Sequence, residues 1–298
     1  MPEGNAGPEP LPELWRALGA CAESPTSEMA GAAESLELGP PPASADYTQV
    51  FELQVFPYAS VYLTPEGMMG GEARDRVAGF WRALEIEPPD EPDHLVSVLG
   101  LHAALSEAES GATEAATAWQ HRRRAHFWEH MAPWLPLMLD AVDRVAPPFY
   151  RTWSDLLARV LDREAGALGH PDELPLQLQA APRLPDPEVD GGEALLGALL
   201  SPLRSGVVLT NSDLQHAAVR LGLGSRIGER RFLLKSLFSQ DSSALLTWLA
   251  GHCEAASKRH RERKPIYGSV AAFWQEQAEA SSRLLRTLAT VAADSAVP

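Results

Sequence analysis

Apolar residues recur along this chain at the three-and-four spacing of amphipathic helices, and almost nowhere at the alternating spacing of strands. Val77, Phe80, Trp81 and Leu84 mark one stripe, and Leu95, Val98, Leu99, His102 and Leu105 a second. Met131, Trp134, Leu135, Met138, Val142 and Val145 read as a third helix. Pro147-Pro148 stops that run, and Phe149, Trp153, Leu156, Leu157, Val160 and Leu161 continue the pattern behind it. The best strand candidate, Gly206-Val207-Val208-Leu209-Thr210, is too short and solitary to build a sheet. Thr210 and Asp213 have the spacing of a capping box ahead of Leu214, Ala217, Ala218 and Leu221, with Gly222 and Gly224 stopping that helix. Further helices are predicted from about Ile227 to Phe238, through Leu245, Leu246, Trp248 and Leu249, and through Val270, Phe273, Trp274, Leu284, Leu285 and Leu288. The expected fold class is all-α.

Composition then places the boundaries. Residues 1–45 hold 7 acidic residues, one arginine and 8 prolines, which predicts a disordered tail with one short helix around Leu11 to Leu18. A helical core is expected over 46–166. Residues 167–190 contain 5 prolines and no helical stripe and read as a linker or long loop; a second helical block follows over 191–298. With 45% hydrophobic residues in 298, the chain can bury a substantial core. No apolar run approaches the roughly 18–20 residues needed to span a bilayer, so no membrane insertion is expected. Met1-Pro2-Glu3-Gly4 lacks the basic start and apolar stretch of an export signal, which predicts a cytoplasmic chain. Cys21 and Cys253 lie far apart without a CxxC partner and read as reduced thiols, supplying no disulfide or metal framework.

The net charge of −15 is unevenly spread. Residues 1–120 carry 20 acidic and 4 basic side chains, residues 121–298 carry 20 and 21, and 46–120 alone hold 13 against 3. A field of that sign repels nucleic-acid phosphate and anionic lipid and steers cationic partners inward. Simple solubility is the alternative reading of the same charge.

Four segments carry candidate chemistry. His126-Phe127-Trp128-Glu129-His130 spells HxxEH, in which two histidines on one helix face hold zinc and the glutamate activates its water. The third ligand has no candidate by spacing, and the aromatic surroundings look more like a packed amphipathic helix with polar residues at its edge. Gly222-Leu223-Gly224-Ser225-Arg226-Ile227-Gly228 has a glycine one place late for a phosphate loop, and glycine ending one helix and spacing the next explains it. The helices around it, with Arg226, Arg230, Arg231 and Lys235 on the second, also suggest a helix-turn-helix DNA reader, against which the acidic remainder argues. Lys258-Arg259-His260-Arg261-Glu262-Arg263-Lys264 reads first as a solvated helix face.

The fullest signal is Glu87-Pro88-Pro89-Asp90-Glu91-Pro92-Asp93-His94-Leu95. Pro92 suits a first helical turn and Asp93 complements the positive end of a helix, a purely structural reading. The same residues gather Asp90, Glu91, Asp93 and His94 at a helix mouth directly after the Phe80/Trp81 helix. Carboxylates beside aromatics can take guanidinium groups and apolar side chains together.

Glu91-Pro92-Asp93-His94-Leu95 resembles the EPxDHL-like motif of the TorD/DmsD/NarJ group, cytoplasmic chaperones that mature molybdenum-containing redox enzymes. Tyr62-Leu63 and Gly70-Gly71-Glu72 upstream, and Phe127-Trp128-Glu129-His130-Met131 with Trp134 downstream, extend the resemblance over about residues 46–165. It implies a TorD-like helical bundle with an added C-terminal helical block, no catalysis, and no cofactor or metal of its own. It also implies that the chain holds the twin-arginine signal peptide and apo form of a molybdopterin-containing oxidoreductase until cofactor insertion. The family's Asp-His pair falls in the peptide-binding region, so Asp93 and His94 inherit that role and Pro92 shapes the turn; Glu91, Phe80 and Trp81 join them on chemistry and proximity. HxxEH then becomes a structural helix segment. Ser201-Pro202-Leu203-Arg204-Ser205-Gly206 is similar to a segment of the longer TorD-like chaperones. Exchange of a helical element between two copies, giving a homodimer, is neither required nor forbidden.

Overall fold

Prolines, glycines and capping side chains set where the helices of this chain begin and end. The structure is a computed structural model that describes residues 11–112, 115–225 and 228–295. In chain order the helices are α1 (Pro12–Ala20), α2 (Ser27–Ser35), α3 (Ser44–Tyr47), α4 (Ala59–Leu63), α5 (Gly71–Ala83), α6 (Leu95–Gly111), α7 (Ala116–His126) and α8 (Leu135–Val145). They continue as α9 (Pro148–Leu168), α10 (Leu176–Gln179), α11 (Pro187–Asp190), α12 (Gly192–Leu199), α13 (Pro202–Ser205), α14 (Asn211–Leu221), α15 (Arg230–Gln240) and α16 (Ser242–Ser295). Thr48–Glu52 and Phe127–Met131 form π-helical turns. No strand occurs among the described residues, only an isolated antiparallel bridge between Tyr58 and His94. The fold is all-α, and Val207, Val208 and Leu209 are buried in the connection between α13 and α14 instead of pairing as a strand.

The chain divides into two compact units. The first combines residues up to Ser60 with Met69–Gln177, and the second combines Val61–Met68 with residues from Leu178 onward. In the first unit α6 is the central helix, since Leu95, Val98, Leu99, Leu101, Ala103 and Leu105 are buried around most of its circumference. Its start is fixed by His94, whose ring nitrogen accepts the Val96 N–H at 3.3 Å. Pro148 at the first turn starts α9, as the Pro147-Pro148 break predicts. The third predicted stripe is not one helix: Met131 closes the π turn, Trp134 caps α8, and Pro133 lies between them.

The expected disordered tail is the clearest correction. α1 packs on α6, with Trp15 and Leu18 fully buried and the Trp15 ring edge-on to His102 at 4.9 Å. Trp153 on α9 donates its indole N–H to the Leu18 carbonyl at 2.9 Å. Thr26 caps α2 by accepting the Met29 N–H at 3.2 Å. Averaging the composition over 45 residues hides the stripe of Trp15, Leu18, Met29 and Ala33, which is enough to dock two short helices once a partner surface exists. Shaving Leu18 to valine should therefore cost about 1 kcal/mol of stability in urea unfolding, where a disordered tail gives no change.

In the second unit Leu199, Leu214, Leu234, Leu237, Leu249 and Leu285 belong to one core cluster. The predicted capping box is present. Thr210 accepts the Asp213 N–H at 3.0 Å, Asp213 accepts the Thr210 N–H at 2.9 Å, and Gly222 ends α14 in the left-handed conformation. α16 is a helical hairpin, broken at Gly268 (φ 52°, ψ −122°). Its arms are antiparallel: Ser243 Oγ donates to the Ala289 carbonyl and Ser257 Oγ to Glu279. Val61–Met68 is held in this unit by Ser201 Oγ, which donates to the Thr64 carbonyl at 3.0 Å, and by Arg204, which donates to the Pro65 carbonyl at 3.0 Å. No helix among the described residues is long and apolar enough to cross a membrane.

Candidate functional site

Prolines bring Asp90 to His94 out of helical geometry, and the chain then needs new partners for its backbone. Pro57 accepts the Leu95 N–H at 2.8 Å and the Asp93 carbonyl accepts the Ala59 N–H at 3.0 Å, so the corner is laced to the start of α4. The Asp93 carboxylate accepts the Ser60 N–H at 3.1 Å. Ser60 passes the restraint on, because its hydroxyl oxygen accepts the Gly70 N–H at 3.0 Å. Arg74 at the start of α5 donates to the Asp90 carbonyl at 3.0 Å. Tyr58 lies edge-on to His94, with ring centroids 4.8 Å apart, and donates its hydroxyl to Glu91 Oε1 at 3.0 Å. Burial and the Glu91 carboxylate push that phenol up to about 12. Burial also holds the His94 imidazole below its usual range, with Glu91 and Asp93 pulling the other way.

The predicted residues thus separate into three kinds. Glu91 is exposed and His94 half-buried, so both can meet a partner. Pro92 and Asp93 are buried, Asp93 to 2% exposure, and the Asp93 carboxylate works for the Ser60 backbone. This corrects its expected role as a contact for a guest: it shapes the corner from inside. Phe80 and Trp81, expected beside the corner, are both half-buried on α5. Phe80 lies against His126 and His130, at 5.4 and 4.9 Å between ring centroids, and no hydrogen-bond acceptor meets the shielded Trp81 indole N–H. Tyr58, Ser60 and Arg74 were not found by sequence reasoning, since their partners lie 16 to 33 residues away and no short motif records that distance.

The HxxEH residues do other work. His126 is fully buried, with Nδ1 3.3 Å from His102 Nδ1, and His102 Nε2 is 2.9 Å from Glu164. Glu129 accepts the Leu176 N–H at 3.2 Å. No group of three or more His, Cys, Asp or Glu suited to hold a metal occurs among the described residues, and the zinc-hydrolase reading has no support. The π turn at Phe127–Met131, closed by the Ala132 N–H on the Phe127 carbonyl at 2.8 Å, seats Phe127, Trp128 and Met131 in the core.

Burial, with the neighbouring histidines, drives His126 well below its usual range, and burial pushes His130 down to about 4. Below pH 6.5 the unfolded chain takes up protons that these folded side chains refuse. Stability should fall from about pH 6.5 toward 4, by about 1.4 kcal/mol per pH unit for each histidine fully titrating in the unfolded state. A melting temperature independent of pH in that window, or one that rises, contradicts this.

The helix-turn-helix reading fails on its basic side chains. Arg230 is drawn inward to donate to the Leu209 carbonyl at 3.0 Å, and Arg231 and Lys235 both pair with Glu193. Arg226, and the expected helix start at Ile227, lie outside the described residues. In the run at Lys258, Lys258, Arg261 and Glu262 are exposed, with Lys258 4.0 Å from Glu262 and Arg261 3.2 Å from Glu279, while His260 is buried.

A family model described as nitrate reductase delta subunit matches residues 6–140, a span containing the Glu91–Leu95 corner, Gly70-Gly71-Glu72 and Phe127–Met131 with Trp134. No curated protein matches the chain. The matched family is one of chaperones for molybdoenzyme maturation, the group the motifs resemble, and its members act with molybdoenzyme subunits. Residues 6–140 of this chain match the nitrate reductase delta subunit family, the NarJ and TorD type of maturation chaperone.

Proposed function

We propose that this chaperone binds, in the cytoplasm, the twin-arginine signal peptide of a molybdenum-cofactor oxidoreductase and holds the apo enzyme until its cofactor is inserted. The role is capture, with no chemical step. The observation that carries the reading is the exposed Glu91 carboxylate, oriented by Tyr58 beside the half-buried His94 ring. It sits in the stretch 46–120 with 13 acidic and 3 basic side chains. A peptide guanidinium pairs with the carboxylate and can lie flat on the neighbouring rings, while Pro92 and Asp93 keep the corner in shape. Residues 46–166 form the chaperone core in this reading, and residues 191–298 the added helical block. Rim charges each contribute about 0.2–1 kcal/mol, so they select and steer while apolar burial supplies most of the affinity.

Fluorescence polarisation with a labelled twin-arginine peptide tests this. At low salt Glu91→Gln should weaken binding by up to about fivefold, and the difference from wild type should shrink as salt rises. His94→Ala should weaken it as well. Unchanged affinity in both variants removes the site, and a wild-type protein that ignores the peptide removes the function.

A further inference from the structure

We propose that Met69 is the apolar subsite of the corner, taking the hydrophobic residue that follows the arginines of the bound peptide; the inference rests on the peptide-binding reading above. A basic-then-apolar ligand needs an apolar surface next to Glu91. Phe80 does not offer it there, since its ring is occupied by His126 and His130. Met69 does: the residue is 59% exposed, and it immediately precedes Gly70, whose N–H is fixed on Ser60. Ser60 is in turn the residue that Asp93 holds, so one chain of hydrogen bonds runs from the buried carboxylate of the corner to the backbone beside Met69.

The backbone is built for this display. Gly70 and Gly71 have φ of 87° and 68°, and no atom lies within 4 Å of a Cβ built on either. Packing does not demand glycine there; the turn does, because two successive left-handed residues are strained for any other side chain. Arg74, one turn into the helix, ties that helix to the Asp90 carbonyl. An unbranched thioether adapts to leucine, phenylalanine or isoleucine without a preformed cavity, which suits a chaperone surface. Buried Asp93 then acts as a positioning residue for an apolar contact as well as for the His94 corner.

The test uses the full chain, fluorescence polarisation, and two labelled peptides: one with paired arginines followed by two leucines, and one with serines in place of the leucines. Met69→Gln should weaken the leucine peptide about tenfold and leave the serine peptide within twofold, while Met69→Leu stays within twofold of wild type on both. Met69 is exposed, so both variants should keep the wild-type melting temperature. Equal binding of the leucine peptide by Met69→Gln overturns the subsite, and so does equal weakening of both peptides. Failure of wild type to bind the leucine peptide at all overturns the peptide-binding reading itself, a separate result.

Discussion

Replacing Glu164 by alanine is expected to lower the unfolding free energy by about 3–5 kcal/mol. Glu164 on α9 is fully buried, with Oε1 2.9 Å from His102 Nε2, and lies 3.5 Å from the Arg123 guanidinium, itself 3.0 Å from Glu109. The group joins α6, α7 and α9 through the buried His102, Arg123 and Glu164, with Glu109 at its partly exposed edge. Removing the carboxylate leaves a buried guanidinium short of one counter-charge and a buried imidazole without its partner, and such orphaned groups cost more than the intact pair gains. The pair is therefore no measure of net stabilisation. Glu164→Leu combined with Arg123→Met should recover only the part of the loss due to the buried guanidinium, because His102 Nε2 still lacks its Glu164 partner. Urea denaturation of the three proteins decides it: a Glu164→Ala variant within 1 kcal/mol of wild type would mean that the network is solvated and carries no such cost.

Gly206→Ala should be comparably damaging, at about 3–5 kcal/mol, for a different reason. Gly206 ends α13 with φ 74°, and an added Cβ would sit 2.4 Å from the Ala278 amide nitrogen and 2.8 Å from its Cα. Backbone cannot step aside as a side-chain tip can. The same contact is pinned by Gln277, whose side-chain amide donates to the Leu203 and Pro182 carbonyls, both at 2.8 Å. Gly222 supplies the control. Its φ of 67° is as unusual, but nothing lies within 4 Å of its Cβ direction, so Gly222→Ala should cost only the backbone strain of about 1–2 kcal/mol. If both substitutions cost the same, the close approach of α13 to the second arm of α16 contributes nothing.

What the amino-acid pattern discloses is whatever depends on near neighbours. The stripes at Val77, Leu95 and Phe149, the Thr210/Asp213 box and the Pro147-Pro148 break all act within one or two helical turns, and all appear as helices or caps. The corner itself was legible as a motif, in which Glu91 is exposed and His94 half-buried. What Asp93 does was not, because its acceptor role is decided by Ser60, 33 residues earlier. Phe80 shares a stripe with Val77 and Leu84, but only the arrival of α7 decides that it meets His126 and His130. The short helix around Leu11 to Leu18 was legible, but its docking stayed hidden because the residues that cover Trp15 and Leu18 come from α6 and α9, far downstream.

That last separation affects how the protein is made. Leu18 and the Trp153 that binds its carbonyl are 135 residues apart, so at about 5–20 residues per second a ribosome needs roughly 7–27 s to supply the second after the first. Until α6 has emerged the Trp15 face has nowhere to hide, and the nascent chain is itself a client for whatever shields greasy segments at the exit tunnel.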